Sequence, residues 1–167
     1  MATINAFDIQ GNQLQNEGIP KSTISQVKRM EKRTFPKGEA MDFDVELKKR
    51  NTELIVILDA AKEGSTAEAL VVAYLLVARI HGVALLHKVC VVDHYQKKGI
   101  ARGMISRLKE KLEAQGCEKI QLWVDTKRAP ARALYNSLGF KLADGTRDYY
   151  GPGRDALKLE LNLNYVW

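Results

Sequence analysis

The sequence is poor in cysteine, in proline and in long uninterrupted apolar runs. Its 167 residues include four prolines and two cysteines, Cys90 and Cys117, without CxxC spacing. Such cysteines indicate neither a disulfide framework nor a zinc site, and reduced thiols favour a cytoplasmic or nuclear location. The most apolar stretch, residues 67–92, is interrupted by Arg79, His81 and Gly82. It therefore predicts two strands and a turn rather than a membrane span.

Several functional signatures are also missing. The chain contains no GxxxxGK[ST] loop and no dinucleotide fingerprint, and its three histidines show no metal-ligand spacing. Residues 1–10 lack the basic and apolar regions of a secretory signal. The net charge of +6 is not accompanied by zinc-finger spacing, an RNP-type aromatic motif or a long Lys/Arg run. We therefore expect no bound metal, no membrane partner and no specific nucleic acid.

What the sequence does contain is a pattern of alternating helices and strands. An apolar fraction of 46% is ample for one buried core. We expect a polar arm or edge strand at residues 1–18 and one domain at 19–167. Periodicity and turn residues predict the following elements: helices at 20–34, 39–50, 99–115 and 130–137; strands at 53–60, 69–78, 83–92, 118–125, 140–142 and 156–163; and a hairpin turn at 62–66. This order predicts a mixed α/β fold.

The central stretch is Val91–Arg102, which reads VVDHYQKKGIAR. A strand, a turn containing glycine and a helix follow one another here, and a helix start presents unpaired N–H groups and partial positive charge. Gly99 and Ala101 leave room for a diphosphate, and the side chains of Lys97, Lys98 and Arg102 add cations. The stretch therefore predicts a phosphate cradle. A solvated basic face is the alternative for the lysines and arginine further along the helix.

This stretch also resembles a known family. Gln96, Gly99 and Ala101 fit the Q/R-x-x-G-x-G/A signature of the GNAT superfamily of acyl-CoA-dependent N-acetyltransferases, and residues 133–140, ALYNSLGF, resemble that family's ALYxSLGF segment. The resemblance implies a single-domain GNAT fold with a mixed twisted sheet of about six to seven strands and about four helices. It also implies that the central parallel strands, 85–92 and 118–125, splay apart.

The resemblance implies acetyl-CoA as the acetyl donor. Backbone groups of three consecutive strand residues would pair with the pantetheine arm and polarise the thioester carbonyl. The remaining cofactor contacts would come from the cradle and from two residues near the last helix. The full set of expected cofactor-binding residues is Cys90, Val91, Val92, Gln96, Lys97, Lys98, Gly99, Ile100, Ala101, Arg102, Arg128 and Ala131.

Two residues are assigned catalytic roles by the same resemblance. The substrate amine would attack the thioester directly, and Tyr135 would donate a proton to the departing thiolate. Related enzymes have Glu or His twelve residues before that tyrosine, but this chain has Trp123 there. Asp125, two residues further along the same strand face, could act as a base through a water, as could Glu39 or His94. A simple acid at the end of a strand is the alternative for Asp125, and a packed aromatic is the alternative for Tyr135.

The acceptor side resembles the protein N-terminal acetyltransferase branch, which includes the ribosomal-protein-alanine type. Residues 148–156, DYYGPGRDA, resemble the substrate loop of that branch, and Phe35 and Pro36 resemble its FP loop. The expected substrate-binding residues are Phe35, Pro36, Glu39, Tyr149 and Tyr150. The tyrosines could instead close a loop over the core. A protein N-terminal α-amine is thus the expected acceptor. A small amine or polyamine, a lysine, or a binding module without activity are the alternatives.

Overall fold

The structure is a computed structural model that describes residues 3–9, 12–14, 21–59 and 69–163. The predicted hairpin turn at 62–66 and the predicted boundary between residues 18 and 19 lie outside these ranges. In chain order the elements are β1 Thr3–Asp8, β2 Gln13–Leu14, α1 Lys21–Thr34, α2 Phe43–Glu46, β3 Thr52–Asp59, β4 Leu70–Ile80, β5 Val83–Val91, a single 3₁₀ turn at Asp93–Tyr95, α3 Ile100–Ala114, β6 Lys119–Asp125, α4 Ala129–Ser137, β7 Lys141–Thr146 and β8 Ala156–Asn162.

The eight strands form one mixed sheet in the order β2-β1-β3-β4-β5-β6-β8-β7. The neighbours β1 and β3 are parallel, whereas β8 runs antiparallel to both β6 and β7. The parallel pairing of β5 with β6 joins Val83–Leu85 to Lys119–Gln121. The predicted mixed α/β class is therefore confirmed. The N-terminal strand lies inside the sheet, between β2 and β3. The two-residue β2 is too short to give a period-2 pattern in the sequence.

Residue contacts divide the chain into two compact units. The first contains Met1–Val77 and Lys88–Met104, and the second contains Ala78–His87 and Ile105–Trp167. Apolar side chains of α1, β3 and β4 fill the core of the first unit. The strand β4 contributes along most of its length, because it is a near-continuous apolar run. Its buried residues include Ala6, Val27, Met30, Phe43, Leu54, Val56, Leu58, Val71, Tyr74, Leu76 and Cys90.

The second unit packs the apolar stripe of α3 with residues from β6, from β8 and from the segment between α4 and β7. The helix ends where Gly116 adopts φ +74°, and the Cys117 N–H donates to the Leu112 carbonyl at 2.9 Å. This is the glycine stop that the sequence predicts. The buried side chains of this unit include Ile105, Leu108, Leu112, Cys117, Ile120, Leu122, Val124, Phe140, Ala156, Leu159, Leu161 and Leu163.

The second helix is much shorter than predicted. The sequence pattern favours a helix over residues 39–50, but α2 covers only Phe43–Glu46. Residues before it form a turn, in which the Pro36 carbonyl accepts from the N–H groups of Glu39 and Ala40. The helix starts only after Asp42, whose side chain accepts from two N–H groups of the first turn. Among the described helices, none is long and apolar enough to cross a membrane.

Candidate functional site

The loop between β5 and α3 has the backbone shape expected of an anion site. It passes through the 3₁₀ turn and then through Lys97 and Gly99, which adopt φ +61° and +80°. Positive φ at Gly99 is inexpensive because glycine lacks a Cβ atom. The loop thus reverses the chain direction within a few residues and presents the first amides of α3.

The start of α3 offers backbone donors and open space. The Gly103 N–H donates to the Gly99 carbonyl at 2.9 Å, so the N–H groups of Ile100 and Ala101 precede the helix ladder. A Cβ atom built on Gly99 or on Gly103 meets nothing within 4 Å. A side chain at either position would enter this free space. The donors and the space fit a phosphate group of coenzyme A.

Cationic side chains surround the same loop. Lys97, Lys98 and Arg102 are all exposed, and the Lys98 ammonium lies 5.3 Å from the centroid of the Tyr95 ring. Exposed cations next to helix-start amides are suited to a diphosphate, which accepts several charge-assisted hydrogen bonds. The predicted cradle residues 97–102 are therefore brought together in the first unit.

Gln96 and Tyr95 hold this loop in place. The Gln96 amide nitrogen donates to the Val91 carbonyl at 3.0 Å and lies 3.2 Å from the Asp93 carboxylate. The Tyr95 hydroxyl donates to the carboxylate of Asp59 at the end of β3. The described contacts of the Gln96 amide nitrogen are therefore with the end of β5 and with the 3₁₀ turn. The contact of Gln96 with the cofactor stays a prediction.

The backbone N–H of Val92 is already used within the chain. It donates to the Val72 carbonyl at 2.9 Å, toward β4. The contact with the pantetheine arm that was expected of Val92 therefore cannot use this N–H. The cofactor-binding roles of Cys90 and Val91 stay predictions.

The predicted acceptor loop follows α1 in the first unit. Phe35 and Glu39 are half-buried, and Pro36 is exposed. The Lys88 ammonium lies 3.6 Å from the centroid of the Phe35 ring and donates to the Glu39 carbonyl at 2.9 Å. Lys88 was not singled out by the sequence reasoning, because a lone lysine within an apolar strand carries no motif.

Tyr135 lies in the second unit, on α4. Its ring packs edge-on to Phe140, with 5.5 Å between centroids. Burial raises the pKa of its phenol, and the charge of Arg128 partly opposes that rise. Arg128 precedes α4 and Ala131 lies in its first turn. Tyr135 therefore keeps its proton at neutral pH, as a proton donor must.

The structure does not support the base role expected of Asp125. This carboxylate is 5% exposed, and its Oδ2 accepts from Arg154 Nε and pairs with Arg154 Nη2, each at 3.0 Å. Its Oδ1 accepts from the Lys127 N–H at 2.9 Å. That N–H bond lowers the pKa of Asp125 most; burial opposes it, and Arg154 lowers the pKa further. A carboxylate stabilised in this way is a poor proton acceptor.

Three aromatic residues of the second unit form a connected group around residues 147–155. Trp123 stacks on Tyr149 with 5.1 Å between ring centroids and 10° between planes, and Tyr149 meets Tyr150 edge-on at 4.8 Å. Arg154 lies 5.5 Å from the centroid of the Tyr150 ring. Tyr149 is 51% exposed and Tyr150 is half-buried. Trp123, which stands where related enzymes have a base, thus packs against Tyr149 of the predicted substrate loop.

The chain matches a known protein family. The model of the Acetyltransferase (GNAT) family matches residues 24–140 of the chain, which include the cradle, Asp125 and Tyr135. This is more than half of the chain. Acetyltransferases of this family use acetyl-CoA, in agreement with the cradle at the start of α3.

Two curated relatives resemble the chain in sequence. The [Ribosomal protein bS18]-alanine N-acetyltransferase of Escherichia coli strain K12 is 39% identical over 67 residues, which are 40% of this chain and 45% of that protein. The N-alpha-acetyltransferase MAK3 of Arabidopsis thaliana is 35% identical over 71 residues, which are 42% of this chain and 37% of that protein. The chain thus spans less than half the length of these relatives.

A solved structure resembles the chain over a much larger share of its length. The crystal structure of Arabidopsis thaliana NAA60, in complex with a bisubstrate analogue, superposes with a TM-score of 0.74. The superposition covers 89% of this chain and 97% of that one, at 16% sequence identity. At this identity the likeness establishes a shared fold.

Proposed function

Because the chain belongs to the acetyltransferase (GNAT) family, we propose that it transfers the acetyl group of acetyl-CoA to the α-amine of a protein N-terminus. The observation that carries the donor half of this proposal is the start of α3, where free space, backbone donors and cations occur together. The acceptor half is supported by the two curated relatives, one named as a [Ribosomal protein bS18]-alanine N-acetyltransferase and the other as an N-alpha-acetyltransferase. We place this activity in the cytoplasm as part of the same proposal.

The residues at the cradle have binding roles in this proposal. Acetyl-CoA supplies an activated acetyl thioester. The N–H groups of Ile100 and Ala101 would hold its diphosphate, and Lys97, Lys98 and Arg102 would neutralise the phosphate charge. Val91 would offer its backbone to the pantetheine arm. Gln96 would keep the loop in the shape that makes these contacts available.

Tyr135 has the chemical role. Its phenol holds a proton at neutral pH, as tyrosine ordinarily does, and burial raises its pKa further; in this proposal it protonates the departing thiolate. Arg128 lies near enough for its charge to act on the phenol, and its positive charge would also favour a developing negative charge there. Direct attack by the amine requires no covalent enzyme intermediate.

The shortage of a strong base favours an α-amine over a lysine. Trp123 cannot accept a proton, and Asp125 is held by Arg154 and by the Lys127 amide. A protein α-amine has a pKa of about 7.7–8.0, so a useful fraction is neutral at pH 7, whereas a lysine side chain at about 10.4 is almost fully charged. An acceptor that deprotonates by itself suits this site.

An acetylation screen tests the proposal. The protein is incubated with acetyl-CoA and a panel of peptides that differ in their first two residues, and products are identified by mass spectrometry. We expect acetylation at the peptide α-amine, with none on internal lysines. The matched control is the same panel with blocked N-termini. Transfer to free polyamines or amino acids but not to peptides would refute the N-terminal acceptor while leaving acetyl transfer intact.

A further inference from the structure

A cluster of polar residues in the first unit has no part in the function proposed above. It contains the buried residues Glu31 on α1 and Tyr74 on β4, and the half-buried Lys88 on β5. Glu31 is 1% exposed and Tyr74 is fully buried, whereas the described surface carries most of the other charged side chains. Charged residues in a core are rare because desolvation is costly, so this cluster calls for a physical explanation.

Glu31 lies at the centre of the cluster. The Tyr74 hydroxyl donates to Glu31 Oε1 at 3.1 Å, but Oε2 has no hydrogen-bond partner among the described residues. Burial raises the pKa of this carboxyl, while the charge of Lys88, the Tyr74 hydroxyl and the Met41 backbone N–H each lower it. Because the Met41 backbone N–H lowers the pKa of Glu31, the carboxyl lies near the end of the loop that follows α1.

Lys88 reaches the same loop from the strand side. Its ammonium donates to the Glu39 carbonyl at 2.9 Å and lies 3.6 Å from the centroid of the Phe35 ring. A cation over an aromatic face and a charge-assisted hydrogen bond to a carbonyl are both directional contacts. Phe35 and Glu39 lie near the two ends of the turn in which the Pro36 carbonyl accepts from Glu39 and Ala40. Lys88 therefore fixes both ends of that turn.

We propose that Lys88 is a positioning residue that holds residues 35–41 in the conformation that receives the acceptor. This inference rests on the proposed function, in which Phe35, Pro36 and Glu39 bind the substrate. Lys88 supplies the contacts to the turn through its hydrogen bond to the Glu39 carbonyl and its position over the Phe35 ring. Its side chain does not need to touch the reacting atoms.

The positioning role of Lys88 is tested first by steady-state kinetics. Lys88→Met keeps the length of the side chain but removes the charge and the donor. We expect the KM for the acceptor peptide to rise about tenfold, as for the loss of one charge-assisted hydrogen bond, with the KM for acetyl-CoA within twofold of the parent. Lys88→Arg retains a cation and donors and should restore most of the loss. Lys49→Met is the matched control, because Lys49 pairs with Glu46 at the surface of the same unit.

Removing both charges separates positioning by Lys88 from an electrostatic effect on the buried Glu31 carboxyl. Lys88→Met removes a cation whose charge lowers the pKa of Glu31, whereas the double variant Glu31→Gln/Lys88→Met also removes the buried carboxyl. We expect the double variant to recover thermal stability but not the KM for the acceptor. Recovery of both would mean that Lys88 serves stability alone and would overturn the proposal. A parallel rise in KM for acetyl-CoA and acceptor would also overturn it.

Amide hydrogen exchange gives a readout that does not depend on the acceptor. The N–H groups of Glu39 and Ala40 bond to the Pro36 carbonyl, so their exchange rates report the order of the turn. We expect faster exchange at residues 36–41 in Lys88→Met, with rates in β3 unchanged. If the parent fails to acetylate peptides, the proposed function fails while this measurement still decides the positioning role of Lys88. Unchanged exchange in the turn would refute that role.

Discussion

At the scale of single residues, Tyr135 is the side chain on which the chemical step depends. Replacement by Phe keeps the ring that packs on Phe140 and removes the hydroxyl. We expect kcat to fall about a hundredfold, the lower range for loss of a general acid, with the affinity for acetyl-CoA unchanged. Turnover and acetyl-CoA binding are measured separately, by initial rates and by calorimetry.

The pH profile of the parent adds a second check on Tyr135. Because burial raises the pKa of the phenol, the proton-donating form persists through the neutral and mildly alkaline range. The rate should therefore rise with pH as the acceptor amine loses its proton, without a decline below the ordinary range of tyrosine ionisation. A Phe variant with the rate of the parent across that range would exclude Tyr135 as the acid.

Asp125 illustrates how a residue chosen for catalysis has a structural role. Its folded-state pKa is lowered, so it stabilises the fold above its unfolded-state pKa of about 3.9, and this stability is lost as pH falls through the folded-state pKa. We expect Asp125→Asn to lower the free energy of unfolding by about 1–2 kcal/mol at pH 7, since the half-exposed Arg154 is partly screened. The difference from the parent should shrink in acid. Chemical denaturation at several pH values measures this.

The matched control for Asp125 is Asp44, whose pKa is lowered by Lys28 at an exposed position. Asp44→Asn should change stability much less, because exposed ion pairs contribute little. If Asp125→Asn abolished turnover while leaving stability unchanged, the base role first expected from the sequence would be restored.

At the scale of elements, the start of α3 is the test of donor binding. Gly99 has φ +80° and open space where a Cβ would lie. Gly99→Glu places a carboxylate in that space, and we expect it to abolish the stabilisation of the protein by acetyl-CoA through steric exclusion and charge repulsion. The increase in melting temperature on addition of acetyl-CoA is the measurement.

Gly99→Ala is the control that separates backbone strain from occupation of the cradle. Both variants place an L side chain at positive φ and lose about 1 kcal/mol of stability from that alone. We expect the Ala variant to retain a measurable response to acetyl-CoA. If acetyl-CoA raises the melting temperature of the Glu variant as much as that of the parent, this loop does not bind the phosphate groups.

Helices and strands with a strong hydrophobic periodicity could be predicted from the sequence. Short elements whose ends are set by local capping could not. The apolar runs of β4 and β5 and the stripe and glycine stop of α3 agree with the sequence pattern within one or two residues. For α2, the pattern at 39–50 favours a long helix. The turn at Pro36 and the side-chain cap at Asp42 limit it to four residues. Those hydrogen bonds depend on backbone conformation, which apolar spacing does not report.

At the scale of the whole molecule, ligand-linked stability distinguishes an acetyltransferase from a basic binding module. The net charge of +6 is compatible with either. A ligand present at a hundred times its Kd stabilises the folded state by about 2.7 kcal/mol. We expect CoA and acetyl-CoA to raise the melting temperature, and an oligonucleotide of equal phosphate concentration to have no effect at 0.15 M salt. The reverse result would favour the binding module.

The sequence by itself determined the family and the order of the main elements, and it predicts the position of the phosphate cradle. These depend on local signals: apolar period, a glycine at a helix start and cations beside it. Residues 24–140 match the acetyltransferase family, as the motifs predict.

Tertiary structure decided what individual side chains contribute. Asp125 accepts a hydrogen bond from Arg154, which is 29 residues away in the chain, and the Gln96 amide donates to the Val91 carbonyl. Lys88, on a strand, reaches the turn that follows α1. The physical reason is that a pKa or a binding role depends on neighbours and on burial, and residues distant in sequence become neighbours only through the fold.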